Sequence, residues 1–201
     1  MNPLDREEIR DIGVATGGLG VAFTVLFFAG GDPGFFATGA ALPALAASIL
    51  LAGVSFIPHE MAHRITARAL EAYAEFRMWT PGVVLAVLSS FLGVVVAAVG
   101  GVEIHMKEGE KWGRHERHLT PKQLGLIAAV GPLMNVSIAV LFAFAAAAVT
   151  VPVAGLNVLG LGATLNSYLA VFNLLPFAPL DGYKVMRWNP GTWAGLLLLA
   201  L

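Results

Sequence analysis

The stretch PGVVLAVLSSFLGVVVAAVGGV, Pro81 to Val102, decides the fold. It carries no charge, and as a helix rising about 1.5 Å per residue it is long enough to cross a hydrocarbon core of about 30 Å. The basic residues around it argue against a crossing. Arg77 precedes the stretch, and Lys107, Lys111, Arg114, Arg117 and Lys122 follow it, whereas residues 31–41 and 150–155 contain no Lys or Arg. Positive residues collect on the cytoplasmic side of a membrane. The two segments without them are therefore expected outside, and the remaining chain ends and loops inside. A straight crossing by Pro81–Val102 would place five basic residues outside. The segment is instead expected to dip in and return as a re-entrant hairpin, part helix and part strand. Its runs PGVV, SS, LGVVV and GGVEI mix helix breakers with β-branched residues. Irregular backbone at membrane depth is tolerated only inside protein or beside a wet cavity. The alternative is an ordinary third span with weak charge bias.

The membrane setting follows from composition. Of 201 residues, 57% are hydrophobic and 12% charged, against about 25% charged in a soluble domain; mean hydropathy is +0.77. A net charge of −1 gives no reason to expect a nucleic-acid partner, and the absence of cysteine excludes disulfides and thiolate metal sites. Besides Pro81–Val102, apolar blocks cover Ile12–Gly30, Ala41–Leu70, Leu124–Val149 and Val151–Leu180. A sixth runs from Thr192 to Leu201. A helix over Pro190–Leu201 would reach only about 18 Å, so the last span is expected to be truncated. The first block follows a net-acidic segment and no clear cleavage site, which favours a retained span over a signal peptide. The expected fold class is an all-α polytopic membrane protein. It comprises one domain over residues 1–201, a bundle of about six transmembrane helices, with a re-entrant or β-hairpin element after the second. The hydrophilic run His105–Gln123 is expected to be a surface loop. Gly13 and Gly17, in GVATG, fit the small-residue spacing of close helix packing.

Within the second block lies VSFIPHEMAHRITAR, Val54 to Arg68. Residues four apart on a helix face the same way, so His59 and His63 can ligate one metal ion. Glu60, one residue along, is placed to act as general base, the arrangement that zinc hydrolases use. A polar helix end with Arg64 and Arg68 snorkelling is the bland reading. Ionisable groups at membrane depth are costly and mark function by default.

A zinc site of this kind takes a third protein ligand. Glu71 and Glu75 lie on or just past the same helix and point beyond the site. His105, His115 and His118 fall in the hydrophilic run. Asp181 is the outstanding candidate: it ends a long apolar run, Pro176 and Pro179 break the helix before it, and Gly182 frees the backbone after it. A helix cap is its bland reading. With Pro81–Val102 re-entrant, Asp181 arrives on the same side and at similar depth as the histidines; with a full span there it would arrive on the opposite side.

HEMAH at His59–His63, AAVGPLMNVSIAV at Ala128–Val140 and FNLLPFAPLDG at Phe172–Gly182 together resemble the site-2 protease family of intramembrane zinc metalloproteases, in its compact prokaryotic form. The resemblance covers about Ala41 to Arg187. It implies Zn²⁺ as cofactor, His59, His63 and Asp181 as its ligands, and Glu60 as catalytic base. It further implies substrate contacts at Asn173 and Asn135, for both of which a buried amide bonding helix to helix is the alternative. Val99–Lys107 resembles the edge strand that family members set against an unwound substrate, a case of strand addition. The implied partners are the lipid bilayer and a transmembrane segment of a membrane-protein substrate, such as an anti-sigma factor or membrane-held regulator already trimmed by another protease. The implied location is the cell membrane, multi-pass, with the N-terminus cytoplasmic and the site nearer that side. The segment Val83–Gly93 departs from the family by being longer and more apolar than the expected hairpin. The competing function is a zinc-binding membrane protein without protease activity, either a carrier or an inactive helix-binding regulator. No inverted repeat of the kind expected of a transporter is visible.

Overall fold

A computed structural model describes residues 5–106 and 119–201. Most of the loop expected over His105–Gln123, with His115 and His118, lies outside the described residues.

Helix α1 (Arg6–Thr24) starts where the Asp5 side chain accepts from Glu8 N at 2.7 Å, a cap contributing about 1 kcal/mol. It continues through a π-helical turn at Val25–Ala29 and ends at Gly30, in the left-handed conformation. Helix α2 (Ala41–Ala69) packs on α1 and on α4 (Pro121–Ala148). Helix α4 begins with a capping box between Thr120 and Gln123 and with Pro121 in its first turn, where a missing N–H costs nothing. Three helical segments among the described residues are long and apolar enough to span a membrane: Arg6–Ala29, Ala41–Ala69 and Pro121–Ala148. Their outer faces carry exposed Leu42, Leu50, Leu141 and Phe144, an apolar exterior suited to lipid rather than water.

Shorter apolar helices accompany these three. The block Val151–Leu180 opens with a two-stranded hairpin, β3 (Pro152–Val153) with β4 (Leu156–Asn157). Asn157 Oδ1 then accepts from Leu159 N at 3.2 Å, so helix α5 covers only Val158–Asn173, about 24 Å. Pro176 and Pro179 follow without the N–H groups that would continue it, and the next helix, α6 (Asp181–Trp188), starts at Asp181. A short apolar helix, α7 (Pro190–Ala200), follows it.

Pro81–Val102 returns to its starting point. Strand β1 (Ala72–Met78) leads into helix α3 (Thr80–Ser90), and strand β2 (Gly100–Met106) comes back antiparallel to β1, pairing Met78 with Gly100 and Phe76 with Val102. Trp79 N donates to Val99 O at 2.8 Å, so the ends of the segment are neighbours, which excludes a single crossing. Side chains satisfy its irregular returning arm. Tyr168 Oη, on α5, donates to Val95 O at 2.7 Å and accepts from Val95 N at 3.0 Å, and Ser89 Oγ accepts from Val96 N at 2.9 Å. The far edge of β1 is closed by α1, with Glu8 Oε1 accepting from Phe76 N and Asp11 Oδ2 from Met78 N, both at 3.1 Å. Glu8 also pairs with buried Arg64, which is therefore not a snorkelling cation. Phe56 of α2 meets Phe76 of β1 edge to face at 5.4 Å, joining the sheet to the main core.

Close packing of α1 occurs elsewhere than the glycine spacing indicates. A β-carbon at Gly13 or Gly17 would meet nothing within 4 Å, whereas one at Gly20 would stand 2.8 Å from Ile49 Cα. Gly20→Ala is expected to destabilise the protein by about 1–3 kcal/mol through overpacking. Gly13→Ala, in the same helix, should be neutral or stabilising by up to about 1 kcal/mol. Thermal unfolding in detergent compares the two; equal effects would contradict the crossing point.

Candidate metal centre

Helix α2 carries His59, Glu60 and His63 on buried positions in its second half. The two imidazoles lie one turn apart, as their spacing dictates, with ring centroids at 4.7 Å and Nε2 atoms 3.0 Å apart. Asp181, in the first turn of α6, completes a triangle: its Oδ2 is 3.4 Å from His59 Nε2 and 3.0 Å from His63 Nε2. Ligands at about 2.0–2.1 Å from a tetrahedral zinc stand about 3.3 Å apart, so the triangle matches one face of such a site. These three residues form the group able to hold a metal ion among the described residues.

The hydrogen bonds behind the rings also fit a cation. His63 Nδ1 is 2.6 Å from Ile127 O, and His59 Nδ1 is 2.5 Å from Asn135 Oδ1. A carbonyl oxygen only accepts, so each ring donates through Nδ1 and presents an Nε2 lone pair to the triangle. Three acceptors then face one another in an apolar interior with no proton between them. A divalent cation resolves this, and an oxygen donor facing the rear of each histidine is the usual support for a metal-ligating imidazole. Lys184 Nζ lies 3.4 Å from Asp181 Oδ1, the oxygen turned away from the histidines. Glu60 is buried, lies within electrostatic range of His59, Asp181 and Lys184, and has an Oε2 without a hydrogen-bond partner among the described residues. An unpartnered buried carboxylate oxygen beside the triangle suits a group that receives a proton.

Not every expected residue falls at the triangle. Asn135 is fully buried behind His59, its Nδ2 donating to Ser55 O at 3.0 Å and Asn166 Oδ1 at 2.9 Å. This is the helix-to-helix amide arrangement, and it leaves Asn135 no free polar atom for a substrate. Asn173, the last residue of α5, bonds back to its own helix through Nδ2 to Leu169 O at 3.0 Å. Glu71 is exposed with a positive φ of 62°, and Glu75 pairs with Arg77; neither joins the triangle. The sequence reading missed Ser55, Asn166, Lys184 and Gly131. Lone polar residues in apolar helices were the available signal for Ser55 and Asn166, and a three-residue offset from Asp181 was the signal for Lys184.

Gly131 shapes the centre by lacking a side chain. A β-carbon there would stand 2.7 Å from His59 Nε2 and closer still to His63 Nε2. Gly131→Ala is therefore expected to cut zinc retention at least about tenfold, whereas Gly160→Ala, with nothing within 4 Å, should leave it unchanged. Zinc per chain after dialysis against a chelator checks both.

Comparison with known proteins bears on the same residues. The chain is 39% identical over 149 residues to "Putative zinc metalloprotease MJ0611" of Methanocaldococcus jannaschii, covering 73% of this chain and 72% of that protein. It is 32% identical over 136 residues to "Putative zinc metalloprotease Rip3" of Mycobacterium tuberculosis, and 28% identical over 138 residues to "Putative zinc metalloprotease sll0528" of Synechocystis. Those alignments cover 66% and 69% of this chain but only 28% and 30% of the two longer proteins. No protein-family model and no solved structure matches it. With its HEMAH helix, its converging His59, His63 and Asp181, and its identity to MJ0611 over most of both chains, this protein belongs to the site-2 protease family of membrane zinc metalloproteases.

Proposed function

We propose that the chain hydrolyses a peptide bond within or near a transmembrane segment of a membrane-protein substrate. In this reading His59, His63 and Asp181 hold zinc and Glu60 is the general base. One observation carries it: three acceptor atoms converge in an apolar interior beside a carboxylate oxygen that has no partner among the described residues. Bound there, zinc supplies Lewis-acid polarisation of a carbonyl and lowers the pKa of water to about 7. Glu60 takes the proton of the attacking water as the new C–O bond forms. It delivers that proton to the leaving amine nitrogen as the C–N bond breaks. Lys184 holds the outer oxygen of Asp181 and so keeps Oδ2 directed at the histidines.

An intact substrate helix hides its carbonyls in i to i−4 hydrogen bonds, so the substrate has to be extended at the site. We assign that task to β2. Phe76 N and Met78 N point away from β2, toward Glu8 and Asp11. In an antiparallel pair, directly opposed residues share this property, so their partners Val102 and Gly100 turn their own N–H and C=O groups to the outer edge. With α1 closing the β1 side, a strand adds beside β2, within the Val99–Lys107 segment. Asn173 is placed in the same reading as a contact to the substrate backbone, and Asn135 as a support for His59. Residues 1–201 act as one membrane domain, with α5 and α7 beside the three long helices and α3 re-entrant. The N-terminus and the site lie toward the cytoplasm.

Glu60→Gln is expected to keep about one zinc per chain and to lose roughly 10²–10⁴-fold in cleavage. His59→Ala and Asp181→Ala should lose the metal as well. Zinc content is read by mass spectrometry of the purified protein, and cleavage by mapping product ends in a detergent-solubilised single-span reporter. Glu60→Gln working at wild-type rate would overturn the mechanism. Val102→Pro removes an outward N–H without touching the β1–β2 ladder. It should slow cleavage roughly fivefold, the value of one main-chain hydrogen bond, at unchanged zinc content. A larger loss for the neighbouring ladder position than for Val102 would point away from strand addition.

A further inference from the structure

We propose that Asn166, on α5, is a positioning residue for the metal centre, acting on His59 through Asn135. The proposal rests on the reading of His59 as a zinc ligand. Asn166 is fully buried, seven residues before Asn173 on the same helix, and the hydrolysis itself gives it no task. Its hydrogen bonds form a chain with only one possible direction.

The direction is set by backbone carbonyls, which only accept. The Asn166 side chain faces Gly162 O at 2.9 Å, so the atom there is the NH₂; the same nitrogen donates to Ser55 Oγ at 2.8 Å. Ser55 Oγ in turn gives its proton to Leu51 O at 2.7 Å. The remaining atom of Asn166, Oδ1, is then an acceptor, and it takes one proton of Asn135 Nδ2 at 2.9 Å, while Ser55 O takes the other at 3.0 Å. Asn135 is left with its oxygen toward His59 Nδ1 at 2.5 Å. His59 must donate from Nδ1 and offer Nε2 to the triangle. Every donor in the chain is spent, and Ser55, Asn135 and Asn166 are all fully buried. Reversing any one amide would place oxygen against oxygen at a backbone carbonyl. Asn166 thus completes the lock on the Asn135 amide by occupying its second N–H. Ser55, one turn before His59 on α2, ties that lock to the helix bearing the ligands.

Partners behind a metal-ligating histidine are typically worth 10–100-fold in metal affinity. Asn166→Leu, close in shape and without polar atoms, is expected to weaken zinc binding about tenfold in competition with a chelator. Because Asn166 acts through Asn135, the same substitution in an Asn135→Leu background should change the affinity less than about twofold. A purely structural role would instead lower thermal stability while leaving zinc affinity within about twofold of wild type, and that result would overturn the proposal. So would equal, multiplying losses in the two backgrounds. A third readout uses the zinc-free wild-type protein and no variant: ¹⁵N NMR of its histidines should find His59 protonated at Nδ1, and protonation at Nε2 would overturn the proposal. Failure of the underlying reading looks different, since wild type and His59→Ala would then retain the same amount of zinc.

Discussion

Three acceptor atoms facing one another inside an apolar bundle repel unless a proton or a metal ion lies among them, and the packing of α2, α4 and α6 answers to that constraint. Two acceptors come from one helix, His59 and His63 of α2, because a turn of helix sets them one above the other. The third comes from the far end of the chain, where the break after α5 starts a new helix at Asp181. The opposing surface of α4 is a glycine, Gly131, which leaves the space between the two imidazoles open. Behind the triangle, each ring is turned by an oxygen of α4, Ile127 O for His63 and Asn135 Oδ1 for His59. The proposed metal ligation and the helix packing are therefore one arrangement: the groups that orient the two imidazoles also satisfy buried polar atoms between helices.

The sheet obeys a related rule. Backbone that is not helical has to find partners inside the protein when water is absent. One edge of β1 is paired with β2, and the other is closed by Glu8 and Asp11. Glu8 is itself neutralised by Arg64, the residue after His63. The acidic start of α1 thereby holds the sheet against the helix that carries the histidines. On the returning arm, Tyr168 and Ser89 supply the partners that a ladder would otherwise provide. The outer edge of β2 is the one proposed above for an extended substrate peptide, which loses its own helical bonds and has the complementary need.

Much of the site was legible in the residues because its chemistry is local. HEMAH on a helix places two imidazoles and a carboxylate together whatever surrounds them. The return of Pro81–Val102 was legible from charge, since the positive-inside bias allows basic residues at both of its ends only if it turns back. The length of the fifth helix was not. Apolar composition fixes that a segment avoids water, but a hairpin capped by Asn157 and a chain broken at Pro176 and Pro179 shorten α5 to 16 residues. Gly13 and Gly17 misled for a similar reason: spacing marks a face able to approach another helix, and the crossing at Gly20 depends on where Ile49 stands.

Short pieces of chain were enough to read the apolar environment, the return of the central hairpin, the paired histidines with their glutamate and the aspartate at a helix break. Each of these follows from hydrophobicity, charge or periodicity along a short piece of chain. Tertiary packing alone brings Asp181 Oδ2 to both Nε2 atoms, Asn135 behind His59, Ser55 and Asn166 behind Asn135, and Gly131 against the two rings. Those contacts join residues between 31 and 122 positions apart in the chain. The oxygens that turn the two imidazoles, Ile127 O and Asn135 Oδ1, stand on α4, and no local pattern places that helix behind α2.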